Sequence, residues 1–515
     1  MTNQQRSRDW KGGALAAAAG IAATVLGMAV GQLVASLLDP ASGPVYAVSS
    51  TVIDLTPTPL KEWAIAHFGS NDKTVLLSSV VVVTLLLAGL AGIVARRSLR
   101  SGTAILLLLV VLAGAAALTR PQAGVLDPVP ALATAVVGVA ALVWLVERTR
   151  PSDASTPVTP GPTASRRGVL LGLGASVAVA AVAGVGGRLI TSARTAVENL
   201  SLPKALKPLA ALPQGVEDKV DGVSAFQTPT SDFYRVDTRV TLPIVSSSDW
   251  SLTIDGDVDR EVTLTLEDLF AMEVIERDIT LTCVSNDVGG PYVGGARWLG
   301  VRLKDVLDRA GIDHTKADQL FSTDVEGFTT STPIALALDG RDAMIAFGMN
   351  GGPLPREHGF PARMVVPGLY GFISACKWIE RITLTNYADH EAYWTQRGWA
   401  TDAPIKVASR IDTPKSFEQI KAGDTFIGGV AWAQHRGVAK VEVQIDGGAW
   451  QQAKLGPSAG NDYWRQWYLP WTAKPGEHNL AVRATTKDGD VQTSARALPF
   501  PDGASGLQKI IVRVA

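Results

Sequence analysis

Leu281-Thr282-Cys283-Val284-Ser285-Asn286, closed by the turn Gly289-Gly290-Pro291, decides how this chain is read. Cys283 is one of only 2 cysteines in 515 residues. Its thiolate would be a soft metal ligand. The alternative is a small buried hydrophobe, the commonest fate of a free cysteine. Three further motifs follow in order. They are Pro353-Leu354-Pro355-Arg356-Glu357-His358-Gly359-Phe360-Pro361-Ala362-Arg363, then Val366-Pro367-Gly368-Leu369-Tyr370-Gly371, then Lys377-Trp378-Ile379. Their prolines and glycines let backbone approach a ligand closely.

Together these motifs resemble the sulfite oxidase family of molybdenum enzymes, over roughly residues 226–515. The resemblance implies molybdenum held by a pyranopterin dithiolene (the molybdenum-molybdopterin cofactor), by the Cys283 thiolate and by terminal oxygen ligands, with oxygen-atom transfer as the chemistry. It further implies that His358, Arg363 and Lys377 bind the pterin, whose phosphate and polar rings can be buried only beside cations and charge-assisted hydrogen bonds. Singly, these three could equally be an exposed loop histidine, a surface arginine and a lysine at a strand rim. Asn286 matches the family's asparagine three residues after the metal ligand and by resemblance joins them in binding the cofactor; on its own it reads as a turn residue. Arg235, in Asp232-Phe233-Tyr234-Arg235, resembles an arginine of the family's anion pocket, one position out of register. Cys376 has no ligand counterpart and reads as structural.

Two departures stand beside the matches. Val288 occupies the place of a family arginine. Trp399, in Trp394-Thr395-Gln396-Arg397-Gly398-Trp399, stands where an active-site tyrosine is expected, and joins Cys283 and Arg235 among the catalytic candidates. A cationic pocket stabilises an oxyanion electrostatically, so the substrate stays open between sulfite and an S- or N-oxide.

The mean hydropathy of +0.18 is high for a soluble chain, and the apolar excess lies at one end. Uncharged Ala/Leu/Val/Gly runs cover 12–38, 74–95, 101–119, 128–146 and 168–187, each near the roughly 20 residues that cross a bilayer. A five-helix transmembrane region is therefore expected over 1–190. Arg6, Arg8 and Lys11, then Arg96, Arg97 and Arg100, then Arg148, Arg150, Arg166 and Arg167 fall in alternate loops. The positive-inside rule then puts the N-terminus in the cytoplasm and everything after 190 outside it, giving a multi-pass cell-membrane protein. Ser165-Arg166-Arg167-Gly168-Val169-Leu170 resembles a twin-arginine export signal, with an ordinary positive-inside pair as the alternative.

Residues 150–164 hold four prolines and no apolar periodicity, a linker composition; 191–225 reads as a second connector. An α+β molybdopterin-binding domain is expected over 226–404, with strand-like Ile279–Thr282 and helix-like Leu303–Ala310. From 405 to 515 short alternating strands such as Val438–Ile445, closed by Asp446-Gly447-Gly448, predict an immunoglobulin-like sandwich. By resemblance this is the family's C-terminal dimerisation domain, which makes a homodimer an expectation. Trp432, Trp450, Trp464, Trp467 and Trp471 read as sandwich core and interface or, alternatively, as a carbohydrate platform.

The net charge of −1 argues against a nucleic-acid partner. His67 is the only histidine before 314, so the spans offer no paired axial haem ligands. Electrons must therefore pass to a separate partner, a cytochrome or a quinone-linked carrier. The competing reading is a non-catalytic membrane-anchored binding or scaffolding protein that keeps the fold.

Overall fold

The computed structural model describes residues 3–68, 71–120, 123–148, 166–194, 198 and 200–515. The Pro-rich segment 150–164 lies outside them. The chain divides into two compact units, Met1–Ala196 with Thr238–Ile244, and Val197–Asp237 with Val245–Ala515.

The first unit is helical: α1 (Asn3–Leu37), α2 (Pro44–Leu55), α3 (Thr58–Phe68), α4 (Asp72–Arg97), α5 (Leu99–Leu118), α6 (Val129–Glu147) and α7 (Arg166–Arg194). Five of these, α1 and α4 to α7, are long and apolar enough to cross a membrane. Helices satisfy their own backbone polar groups, the requirement of a lipid surrounding. Their outer faces carry bare aliphatics: Leu86 is 69% exposed and Val182 74%. In water such surfaces would be an aggregation hazard. α1 packs against α4, α6 and α7, and glycine sets that closeness. A Cβ on Gly20 would lie 2.1 Å from the Ala88 carbonyl oxygen of α4, and one on Gly27 2.7 Å from that of Thr134 on α6. Helices α2 and α3, at 12 and 11 residues, fill the stretch between the first two spans, where no element was expected.

In the second unit, the part before residue 405 holds two sheets of different character. One five-stranded sheet runs Val262–Thr265, Ser251–Gly256, Ile379–Thr385, Gln319–Asp324, Thr329–Pro333, with Ser251–Gly256 parallel to Ile379–Thr385 and the other pairings antiparallel. The other sheet is antiparallel. It pairs Val274–Thr282 with Val293–Arg302, then Met344–Met349, on which Gly352–Pro353 and Arg363–Val365 also pair. Cys283 follows the first of these strands directly and Arg363 opens the last, so one sheet carries both. The expected helix begins at Leu303 and ends at Asp308.

Beyond residue 405 two further sheets share a core of Ile427, Val441, Val443, Trp467, Leu480, Val482 and Val512. One runs Ala408–Thr413, Gly423–Trp432, Arg465–Ala473, Lys454–Leu455; the other Gln419–Ile420, Gln508–Val514, Gly476–Thr486, Val438–Ile445, Gln451–Gln452. Trp432, Trp464, Trp467 and Trp471 are all buried, which removes them as a carbohydrate platform. Residues 200–225 form neither helix nor strand but lie against this unit. Leu206 donates its N–H to Val274 (2.9 Å), and Val216, Val220 and Val223 pack with Phe426 and Tyr468.

Candidate active site

The loop at Cys283 is closed by its own backbone. Cys283 donates its N–H to the Tyr292 carbonyl (3.0 Å), and Asn286 donates its own to Cys283 O (3.1 Å). The Asn286 carboxamide oxygen accepts from Tyr292 N–H (2.8 Å), so this side chain holds the turn. The strand leading in is clamped by the C-terminal sheets. Gln434 Nε2 donates to Thr280 O (3.2 Å) and Thr282 Oγ1 (3.0 Å), and Trp464 N–H to Thr280 Oγ1 (3.0 Å). The thiol itself is buried, with Sγ 2.9 Å from Ser285 Oγ. Burial pushes it above its ordinary pKa, while Ser285 and then Lys377 pull the other way.

A group of cations converges beside it. Arg363 and Lys377 face each other across a β-bridge. The Arg363 guanidinium is 5% exposed, lies over the Trp298 ring (5.2 Å), and donates to the backbone carbonyls of His358 (3.1 Å) and Ala375 (3.4 Å). Burial pulls it down to about 10. Lys377 Nζ bonds Asp237 (2.7 Å) and the Glu357 carbonyl (3.0 Å); burial draws it down to about 8 against the opposing pull of Asp237. His358 is 3% exposed beneath the Phe233 ring (5.4 Å). Burial, with Arg363 and Lys377 facing it, holds its imidazole at about 4, hence neutral. At the rim Arg235 makes a bidentate pair with Asp237 (2.8 and 3.1 Å).

The structure thus brings together Cys283, His358, Arg363, Lys377 and Arg235. Trp399 belongs to a different environment: its ring neighbours are Phe372 (5.7 Å), Trp394 (5.9 Å) and Phe500 (5.3 Å), and its buried Nε1–H has no hydrogen-bond partner. Val288 sits half-buried in the turn after Asn286.

Three residues went unassigned in the sequence reading. Asp237 bonds both Arg235 and Lys377. Tyr234 stacks on Phe233 (5.2 Å); burial and then Cys283 push its phenol far up while Arg363 pulls it down, so its hydroxyl feels both sides of the site. Tyr370 is buried against the 502–503 loop, where a Cβ on Gly503 would lie 2.5 Å from its ring; burial raises it to about 12. Both tyrosines sit inside motifs quoted for other residues, and Asp237 stands two positions after Arg235.

Arg363 is a buried cation and Lys377 a nearly buried one, Arg235 lies exposed at the rim, and Asp237 bonds both Lys377 and Arg235. Buried cations are stabilised by an anion that joins them. The donors fit a phosphate-bearing pterin, and a buried thiol at the end of the same sheet fits a soft metal.

A family model described as "Oxidoreductase molybdopterin binding domain" matches residues 239–394. This domain belongs to the sulfite oxidase family of molybdopterin oxidoreductases. Mitochondrial sulfite oxidase of Homo sapiens is 33% identical over 280 residues, covering 45% of this chain and 51% of that protein. Sulfite oxidase of Gallus gallus is 29% identical over 322 residues, covering 53% and 69%. The chain spans about half the length of the mammalian sulfite oxidases it matches. Among solved structures, the sulfane dehydrogenase SoxCD from Paracoccus pantotrophus superposes with a TM-score of 0.50 at 23% identity, covering 61% of this chain and 88% of that one; this likeness concerns fold alone. The cofactor of the sulfite oxidase-type domain is molybdenum-molybdopterin.

Proposed function

We propose that this chain is a membrane-anchored oxidoreductase whose sulfite oxidase-type domain performs oxygen-atom transfer outside the cytoplasm. The observation that carries the reading is the buried thiol of Cys283 beside the cations Arg363 and Lys377, the first buried and the second nearly so. In it the Cys283 thiolate ligates molybdenum, and Arg363 and Lys377 hold the pterin phosphate. His358, neutral and with its ring N–H on the Thr230 backbone, presents its other ring nitrogen to the pterin as an acceptor, and Asp237 fixes Lys377 and Arg235 in place. The bound cofactor supplies a two-electron couple for moving an oxygen atom. The chain supplies a pocket that fixes the metal, excludes water and orients the substrate through Arg235, Tyr234 and Tyr370.

The substrate is a neutral S- or N-oxide or a thioether in preference to sulfite. Val288 brings no charge to the turn after the thiol, and Arg297 is spent on a bidentate pair with Asp278 (2.8 and 2.8 Å). Electrons leave or enter through a separate carrier. The C-terminal sheets form an immunoglobulin-like sandwich that serves dimerisation.

Metal analysis of the purified full chain from a cofactor-competent host tests the reading. One molybdenum per chain is expected; metal-free protein would sink it. Steady-state assays with sulfite and with neutral oxides, using an artificial electron carrier, then test the substrate class.

A further inference from the structure

Tyr234 is fixed at its ring and unpartnered at its hydroxyl. The ring stacks on Phe233 (5.2 Å), which is 5% exposed and stands edge-on to Trp298 (5.9 Å) and His358 (5.4 Å). Gly294 makes room for this stack, since a Cβ there would lie 2.9 Å from the Phe233 ring. Tyr292, whose carbonyl accepts from Cys283 N–H, flanks the phenol (6.3 Å between ring centres). The Tyr234 hydroxyl has no hydrogen-bond partner among the described residues. Unlike the sealed Nε1 of Trp399, its oxygen keeps accessible surface, in a half-buried residue. It is therefore a donor that a ligand can reach. The other donors nearby are engaged. Arg235 holds Asp237 by two bonds, Lys377 holds Asp237 and the Glu357 carbonyl, and Arg363 holds the His358 and Ala375 carbonyls. The Tyr370 oxygen, in a residue 4% exposed, already accepts from Lys406 N–H (3.4 Å).

We infer that Tyr234 binds the oxygen atom of the substrate, donating its O–H to the S–O or N–O dipole of a neutral oxide, and so selects the oxide over the thioether of the same body. On the functional reading above, on which this assignment rests, the substrate class narrows to neutral oxides. An oxide oxygen is a strong acceptor and a thioether sulfur a weak one. An anion such as sulfite calls for charged donors, and here those are tied to Asp237 and to backbone carbonyls. Cys283 and Arg363 both act on the phenol, Cys283 the more strongly, so the hydroxyl lies toward the thiol end of the site rather than the end where Arg363 would meet a phosphate. Burial holds the phenol far above the ordinary tyrosine range, and the group keeps its proton: it acts as a hydrogen-bond donor, not as an acid. Trp399 cannot take this part, because its Nε1–H is sealed among Phe372, Trp394 and Phe500.

The test is equilibrium dialysis of the full chain in detergent micelles against radiolabelled methyl phenyl sulfoxide and, separately, methyl phenyl sulfide, with protein-free micelles as background. Saturable sulfoxide binding to the wild type is expected. Tyr234→Phe keeps the stacked ring and removes only the oxygen. It should weaken sulfoxide binding about fivefold, the size of one hydrogen bond, and leave sulfide binding, the unfolding temperature and the molybdenum content unchanged. Sulfoxide binding no greater than to micelles, or indifferent to Tyr234→Phe, overturns the inference. Equal weakening of both ligands would show that the phenol shapes the pocket without reading an oxygen, and a fall in molybdenum content would show that it faces the pterin; either outcome also overturns it. Dialysis needs no turnover, so the two readings fail separately. Molybdenum-loaded protein whose sulfoxide affinity ignores Tyr234→Phe ends this inference only. Metal-free wild type whose sulfoxide affinity still drops on Tyr234→Phe ends the functional reading while keeping Tyr234 as the donor.

Discussion

On the proposed reading Cys283, Arg363 and Lys377 differ in what their loss should do, because the first would hold the metal and the others the pterin phosphate. Cys283→Ser keeps volume and hydrogen bonding but replaces a soft donor by a hard one; activity should vanish while thermal unfolding stays within a few degrees of wild type. Arg363→Ala or Lys377→Ala should instead lower molybdenum content, since a buried phosphate loses a partner worth roughly 1.5–3 kcal/mol. Val288 tests the substrate argument: Val288→Arg should raise kcat/KM for sulfite about tenfold, one charge-assisted contact in energy, and no gain would mean that the residue lies away from the anion. His358 gives a pH signature. Held neutral at about 4 in the fold against 6.5 for the free group, it takes up no proton between those values, whereas the unfolded chain does. The His358 contribution to stability is therefore level above pH 6.5, falls as pH drops from 6.5 toward 4 by about 3 kcal/mol, and levels again below. Denaturant titrations of cofactor-free protein should show this slope in wild type and a shallower one in His358→Gln.

At the scale of elements, what the sequence revealed and what it hid have physical causes. Val438–Ile445 alternates apolar and polar residues, and the strand has those limits in the structure. The five long spans were legible because twenty uncharged residues in a row admit few other fates. Helices α2 and α3 escaped notice because 12 and 11 residues are too short to span. The site divided in the same way: Cys283, His358, Arg363 and Lys377 stood out by the order of their motifs. Asp237 did not, because its partner Lys377 is 140 residues away and only the fold joins them. Nor does sequence reveal that the strand into Cys283 is braced by another domain. Trp464 donates Nε1–H to Phe226 O (2.8 Å) and its backbone N–H to Thr280, and it packs in the core of the molybdopterin domain rather than that of the sandwich. Trp464→Ala should cost about 3–5 kcal/mol, as large core truncations do, and should reduce cofactor retention as well as the unfolding temperature. A loss of stability with molybdenum content intact would show that the brace does not reach the metal loop.

For the molecule as a whole the question is on which side of the membrane the chemistry takes place. Arginines cluster before the first span, between the second and third, and between the fourth and fifth, and positive short loops stay in the cytoplasm. A reporter fused after residue 515 should therefore register outside the cytoplasm and one inserted near residue 157 inside; the opposite pair of signals would overturn the proposed orientation. The cofactor sharpens the matter. If, as proposed, a pterin lies buried among Arg363, Lys377 and His358, it cannot be threaded through a translocase with an unfolded chain, so a domain loaded in the cytoplasm would have to cross folded. Arg166 and Arg167 open α7, the helix that on the proposed topology would carry the catalytic unit across. If they are a twin-arginine address, Arg166→Lys with Arg167→Lys should strand the C-terminal unit inside although the charge is conserved, because such signals are read by a receptor. If they merely obey the positive-inside rule, the lysine pair should orient the helix as well as the arginines do. Protease protection of the C-terminal unit in spheroplasts separates the outcomes: protection in the double variant with cleavage in wild type supports export of a folded domain, and cleavage in both leaves the pair as simple topological charge.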